Sequence, residues 1–245
     1  MNITLLIFSY NRAMQLDAVL RSLLRHCQDV SHAGVHVLYK ADDRHMGSYQ
    51  QLRRDYSQYS WIHFIKENTF HQDLIQCMDD SENILFLVDD NLFTRDFKLH
   101  HYVEALQSRE RVIGVSLRLG RNTTYCYPLD QKQSIPIFTP LIQGDLFFYS
   151  WSGCDHDYGY PLEVSSSIYR VTDIQTILGQ NPVQNPNHFE TLLSEHANQI
   201  KDRYPELICP RQSITFCIPV NKVQSVIKEN RAGEKYAYSS DELLE

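Results

Sequence analysis

Short apolar runs alternate with helical stripes along the first half of the chain, and each pattern predicts its own kind of burial. Residues 3–8 are apolar apart from Thr4, as expected of a strand covered on both faces. Ser9-Tyr10-Asn11 breaks the run, and Asn11 is expected to cap the helix that follows. In that helix Leu16, Val19, Leu20, Leu23 and Leu24 fall at i, i+3, i+4, i+7 and i+8, a single buried stripe. Residues 35–39 predict a second strand, 48–56 a short helix, and 61–65 a third strand whose His63 marks a wetter face. A helix is predicted over 70–78. The polar cluster 79–83 then leads into 84–88, the strongest strand pattern in the chain. A helix over 95–108 follows, with Leu99, Val103 and Leu106 inward, and then a strand over 111–117. Strands alternating with helices in this way predict parallel neighbours joined by right-handed crossovers, an α/β fold.

Regular periodicity is lost after Leu117. Residues 118–162 are rich in Tyr, Pro, Gly and Asp, the texture of substrate loops. Residues 164–170 predict a further strand and 171–178 a short helix. Asn185-Pro186-Asn187 reads as a turn and cap ahead of a helix over 188–201. The division this predicts is one domain over 1–228, with a ligand-binding half at 1–117 and a second half at 118–228. A polar tail occupies 229–245, and no internal repeat is visible.

Composition narrows the function classes. The 245 residues, 42% hydrophobic and 22% charged, suffice for a real core. A net charge of −7 without a clustered basic run argues against nucleic acid as the main partner. The six cysteines form no CxxC pair and keep no zinc-ligand spacing, so they read as reduced thiols of a cytoplasmic protein. The leading apolar run is too short for a signal peptide or a membrane span, and no transmembrane segment is predicted elsewhere.

In an open α/β sheet, ligands gather beyond the carboxyl ends of the strands. Three candidate groups fall there: Ser9, Tyr10, Asn11 and Arg12; then Asp42 and Asp43; then Asp89, Asp90 and Asn91. A hard divalent cation takes oxygen ligands, often one or two carboxylates plus substrate phosphates. Asp89 and Asp90 point to opposite sides of an extended backbone, so one of them is expected to meet the metal and the other to orient a neighbouring group. Asp-Asp-Asn is equally good turn chemistry, and the residues alone leave both readings open.

Residues 4–12, Thr-Leu-Leu-Ile-Phe-Ser-Tyr-Asn-Arg, and Phe86-Leu87-Val88-Asp89-Asp90 together resemble the first strand, nucleotide-contacting turn and DXD-type motif of GT-A glycosyltransferases. The resemblance is to the family-two group often found with surface-polysaccharide genes. It covers residues 3–117 and extends more weakly to about 225. It implies a mostly parallel Rossmann-like sheet flanked by helices, with an irregular acceptor-side segment. It also implies a nucleoside diphosphate sugar as donor (a UDP-sugar first), a glycan or other hydroxyl acceptor, Mn²⁺ or Mg²⁺, and inversion at the anomeric carbon.

Two departures from the pattern matter. The second strand ends in Tyr39-Lys40-Ala41-Asp42 instead of an Asp-Asp-Gly-Ser run, so Tyr39, Lys40 or Asp42 would take the place near the nucleotide base. Val88 stands where the motif's first acid belongs and cannot coordinate, which makes Asp90 the first choice of metal ligand and Asp89 the second.

The resemblance places a general base early in the helix after the sixth strand. Glu190 lies at that distance, although a first-turn carboxylate favoured by the helix dipole is the plainer reading. Asp155, His156 and Asp157 are rivals in a Gly/Tyr-rich loop. Aromatics concentrate in the irregular segment, and Trp151 and Tyr158 are the candidate acceptor contacts. The histidines, including His100-His101, show no ligand spacing. A nucleotidyltransferase would need a Gly-rich loop after the first strand, which is lacking here. A non-catalytic GT-A-like protein that binds a glycan or a partner is the alternative from another class.

Overall fold

The computed structural model describes residues 2–141, 145–179, 181–218 and 239–244. The first half follows the predicted alternation: β1 (Ile3–Tyr10), α1 (Ala13–His26), β2 (Gly34–Lys40), α2 (Asp43–Asp55), β3 (Ile62–Lys66), α3 (Phe70–Met78) and β4 (Asn83–Val88). Then come β5 (Asn91–Phe93), α4 (Leu99–Gln107) and β6 (Val112–Ser116). The second half adds β7 (Tyr125–Cys126), β8 (Gln131–Lys132), β9 (Thr139–Pro140), β10 (Leu146–Ser150), β11 (Ser167–Arg170), α5 (Val171–Leu178), α6 (Pro186–Ile200), β12 (Glu206–Pro210) and β13 (Thr215–Cys217).

Nine strands form one sheet in the order β3-β2-β1-β4-β11-β6-β12-β10-β9. The pairs β3-β2-β1-β4 are parallel, and β12 runs parallel to β6. Two strands are reversed. β11 lies antiparallel between β4 and β6, and β10 lies antiparallel to β12. The unbroken apolar runs are explained by double coverage. Leu5 and Ile7 face a layer that includes α1, α2 and α4, while Leu6 and Phe8 face one that includes α3, α5 and α6.

The reversed β11 is what the sequence pattern did not foresee. It fits because Gly114 on β6 has no side chain: a Cβ there would lie 2.6 Å from the Tyr169 ring. Tyr169 is fully buried, and its hydroxyl donates to the carbonyls of Pro161 at 2.9 Å and Glu163 at 2.8 Å. A core aromatic on β11 therefore fixes the turn that leads into its own strand.

Other boundaries moved. α2 begins at Asp43, five residues before the expected start, with the His45 and Met46 amides donating to the Asp42 carbonyl. β10, β12 and β13 lie where no strand was expected. The cap at Asn185 is as expected, its Oδ1 accepting from the His188 amide at 2.9 Å. The cap expected at Asn11 is not: α1 starts beyond it with no side-chain cap, and the Asn11 side chain is used across strands instead. Of the tail expected over 229–245, residues 229–238 and 245 lie outside the described residues, while Asp241 pairs with Arg44 at 2.7 Å and His45 at 2.9 Å. All six cysteines are free, and no helix among the described residues is long and apolar enough to cross a membrane.

Candidate active site

The ends of β1, β2 and β4 lie side by side because these strands are parallel and in register. Ser9, Tyr10, Asn11 and Arg12 leave β1 directly beside Asp89 and Asp90, as the order of strand ends implied. Asp89 is buried at 4% exposure and accepts from Ser9 Oγ at 2.9 Å, the Tyr10 amide at 3.1 Å and Arg12 Nη1 at 2.9 Å. Tyr49 braces the same turn, its hydroxyl 2.6 Å from Ser9 Oγ and accepting from the Arg12 amide at 3.0 Å.

This is the orienting role expected of one of the two acids. Three internal donors occupy its oxygens, and its work is to hold the loop after β1. Burial pushes its carboxyl above the ordinary value, while Arg12, Ser9 and the Tyr10 amide pull the other way.

Asp90 is half-buried, its side chain 18% exposed against 5% for Asp89. Its side-chain partner is Arg12 Nη1 at 3.3 Å, and its backbone carbonyl accepts from the Ile218 amide at 2.8 Å. Its carboxyl is pushed up to about 6 by burial and by the neighbouring Asp89 charge, with Arg12 opposing. Burial works against the Arg12 charge, but the two carboxylates outweigh it and hold the guanidinium above its ordinary value.

Asn11 adopts the left-handed conformation, φ +54°, and clips β1 to the end of β2. Its Nδ2 donates to Asp42 Oδ2 at 2.7 Å, and its Oδ1 accepts from the Asp42 amide at 2.9 Å. Tyr10 stays exposed beside this clip, its hydroxyl 3.5 Å from Asp42. Lys40 is exposed, 3.8 Å from Glu67. Tyr39 is a correction: it is buried and stacks on Tyr49 at 4.6 Å, so it supports the site from below and offers no face to a ligand.

The second half contributes a cluster built around Arg118, which follows β6. Its Nη1 lies 2.9 Å from Asp157 Oδ1 and its Nε 3.7 Å from Glu163 Oε2. Burial opposes the Arg118 charge, but Glu163 and Asp157 hold it above its ordinary value. Glu163 is 2% exposed and accepts from the hydroxyls of Ser165 and Ser167.

Glu190 sits in the second turn of α6, not in the first turn where a dipole-favoured carboxylate would lie. Its hydrogen-bond donor is the Val164 amide at 3.4 Å. Its carboxyl is pushed up to about 7 by burial and by the Glu163 charge, against the Val164 amide and Arg118. A carboxyl that titrates near neutrality, with a single long hydrogen bond, suits proton transfer.

The rivals of Glu190 are placed otherwise. Asp157 is spent on Arg118 and accepts from Gln133 Nε2 at 3.0 Å, so it positions the loop. Asp155 is exposed at the start of a short turn, and His156 follows it with φ +55°. Trp151 and Tyr158 are corrections as acceptor contacts. Trp151 is 4% exposed with its indole donating to the Tyr204 carbonyl, and Tyr158 is fully buried with its hydroxyl donating to the Gly120 carbonyl. Both are packing residues whose polar tips are satisfied inside.

Four residues of the site had no signal in the strand-end argument: Tyr49, Arg118, Glu163 and Cys217. Arg118 follows the apolar run 112–117 as a charge at a strand end, which was the available clue. Cys217 links the two halves. Its Sγ accepts from Asn91 Nδ2 at 3.2 Å, and burial pushes its thiol well above the ordinary value, with Asp90 and Glu163 raising it further and Arg118 opposing.

No family model matches the chain. It is 28% identical over 253 residues to the bifunctional glycosyltransferase pgtA of Dictyostelium discoideum, a match covering 91% of this chain and 32% of that protein. The crystal structure of S. aureus TarS 1–349 superposes with a TM-score of 0.54 at 12% identity, over 89% of this chain and 61% of that one. GalNAc-T7, solved with UDP, GalNAc and Mn²⁺, gives 0.55 at 9% identity, over 89% and 44%. The chain thus spans about a third of the curated relative and less than two thirds of either structure. These likenesses bear out the GT-A fold expected from the two motifs.

Proposed function

We propose that this chain is a glycosyltransferase domain that moves a sugar from a nucleoside diphosphate sugar to an acceptor hydroxyl. The observation that carries the reading is the in-register edge of β1, β2 and β4, where Arg12 pairs with Asp89 at 2.9 Å and with Asp90 at 3.3 Å beside the Asn11–Asp42 clip. Glu190 in α6, its carboxyl pushed up by burial and by Glu163, is the second pole. One pole is made for a donor's phosphates, the other for an acceptor's proton. The glycosyltransferase relative pgtA supports the same class.

The donor would lie along the ends of β1, β2 and β4. Tyr10 and Asp42, held by the Asn11 clip, face the nucleoside side, with Lys40 beside them. Arg12 stands next to Asp90, where the diphosphate would sit. A UDP-sugar is the first donor to test, since TarS and GalNAc-T7 are both solved with UDP.

Asp90 is the residue that would hold Mn²⁺ or Mg²⁺. Its half-buried carboxylate at the strand end is one oxygen donor of the kind such a cation takes, and substrate phosphates would have to supply most of the shell. When bound, the cation would offset the charge of the leaving diphosphate as a Lewis acid.

Glu190 takes the proton of the acceptor hydroxyl as its oxygen attacks the anomeric carbon. The new glycosidic bond forms as the bond to the diphosphate oxygen breaks, and direct displacement inverts the configuration. Glycan assembly at a surface polysaccharide is the proposed setting, and the free thiols accord with the cytoplasm.

Thermal shifts with UDP, GDP, CDP and dTDP, each with and without Mn²⁺, test the reading. A metal-dependent shift with one nucleotide supports it. No shift with any of them favours a non-catalytic glycan- or partner-binding protein.

A further inference from the structure

We propose, resting on the reading of Glu190 as the base, that Glu163 is its positioning residue: a second carboxylate fixed beside it, whose repulsion is relieved when Glu190 takes the acceptor's proton.

One turn seats both acids. The Val164 amide donates to Glu190 Oε1 at 3.4 Å, and the next amide, that of Ser165, donates to Glu163 Oε2. The elements on either side are pinned by one ring of β4. Phe86 lies 6.2 Å from Tyr169 and 5.3 Å from Phe189, the residue before Glu190, centroid to centroid. Tyr169 in turn holds the Glu163 carbonyl at 2.8 Å. All three rings are fully buried, so α6 and the 163–165 turn cannot part without opening the core.

The two acids differ in access. Glu163 is 2% exposed, and its oxygens are filled by the Ser165 amide and the hydroxyls of Ser165 and Ser167, with Arg118 Nε 3.7 Å away. It is walled off from an acceptor. Glu190 is half-buried, and its one hydrogen bond leaves an oxygen for an incoming hydroxyl.

Like charges held side by side repel, and more strongly away from bulk water. Burial raises the Glu190 carboxyl, Glu163 adds to it, and Arg118 opposes. Tyr160 and Tyr169 also face Glu190, but burial pushes both phenols up and they stay neutral. As the acceptor O–H bond breaks, its proton goes to Glu190. The oxygen's electron pair forms the bond to the anomeric carbon, and the diphosphate leaves with the pair of the bond that breaks. Glu190 loses its charge in that step, so the repulsion from Glu163 is felt before transfer and relieved during it. Interactions that improve only towards the transition state raise turnover and leave binding unchanged.

Carbon NMR of the whole chain, ¹³C-labelled at the glutamate carboxyls, tests this without a substrate, and Glu190→Gln assigns the resonance. Wild-type Glu190 is expected to titrate at about 7. In Glu163→Gln the midpoint should fall by on the order of one pH unit, and in Arg118→Gln it should rise. A merely structural role for Glu163 and Arg118 gives no reason for opposite shifts. A double-mutant cycle reads the same coupling: Glu190→Gln should raise the Tm at alkaline pH, and should raise it less in a Glu163→Gln background. Near-ultraviolet circular dichroism confirms each fold. An unmoved midpoint in folded Glu163→Gln, or in Arg118→Gln should the first variant not fold, overturns the inference and leaves Glu190 as the base. A wild-type Glu190 that titrates in the ordinary carboxylate range overturns the base reading and this inference together.

Discussion

Tyr169 packs against Gly114 so closely that a methyl group on the glycine would fall 2.6 Å from its ring. The contact lets β11 run antiparallel between β4 and β6, and the Tyr169 hydroxyl then ties down the Pro161 and Glu163 carbonyls. An absent side chain on one strand thus positions an acid beside the proposed base.

Gly114→Ala should therefore overpack the sheet and cost roughly 1–3 kcal/mol. Tyr169→Phe keeps the ring and loses the two hydrogen bonds, costing about 1 kcal/mol. Urea melts measure both. A Gly114→Ala variant as stable as wild type would show that β11 yields easily and that the contact is not what seats it.

Asp89 and Asp90 are adjacent but should respond differently to amidation. Asp89→Asn removes the closer of the two carboxylates on Arg12 and the charged acceptor of Ser9 and the Tyr10 amide, and should destabilise the fold by about 1–3 kcal/mol. Asp90→Asn should leave the melt near wild type and abolish Mn²⁺-dependent nucleotide binding, read by calorimetry. Unchanged affinity with and without Mn²⁺ in that variant would sink the metal role of Asp90.

Glu190→Gln should slow transfer by about 10²–10⁴-fold while donor binding persists. With the carboxyl at about 7, the wild-type rate should climb roughly tenfold per unit below pH 7 and level above it. Near-normal turnover in the variant would return the role of base to Asp155, His156 or Asp157.

The same residue links stability to pH. Its carboxyl lies at about 7 in the fold against 4.5 for the free group, so the folded state binds more protons between those values. Its contribution is full below pH 4.5 and is lost as pH rises to 7, a loss of up to about 3 kcal/mol. Glu190→Gln should accordingly melt higher than wild type at pH 8, with the gap closing towards pH 4. An equal gap at both pH values would mean that Glu190 is not buried as a charge.

The periodicity of residues 3–117 was enough to specify parallel strands, their helices and the ends where ligands collect. Burial on two faces writes itself into unbroken apolar runs, and burial on one face into a stripe. The order of those ends also picked out Ser9 to Arg12 and the Asp89-Asp90 pair, since neighbours along a parallel sheet share one edge. The placement of β11, the burial of Tyr39, Trp151 and Tyr158, and the partners that hold Asp89 came from tertiary structure alone. Most depend on partners far along the chain, as Asp89 does on Ser9 80 positions back, or on an aromatic's polar tip finding a carbonyl inside, as with Trp151 and Tyr158. Cys217 shows the same limit: nothing in its own segment marks it, and only the pairing of β13 with β5 brings it to Asn91.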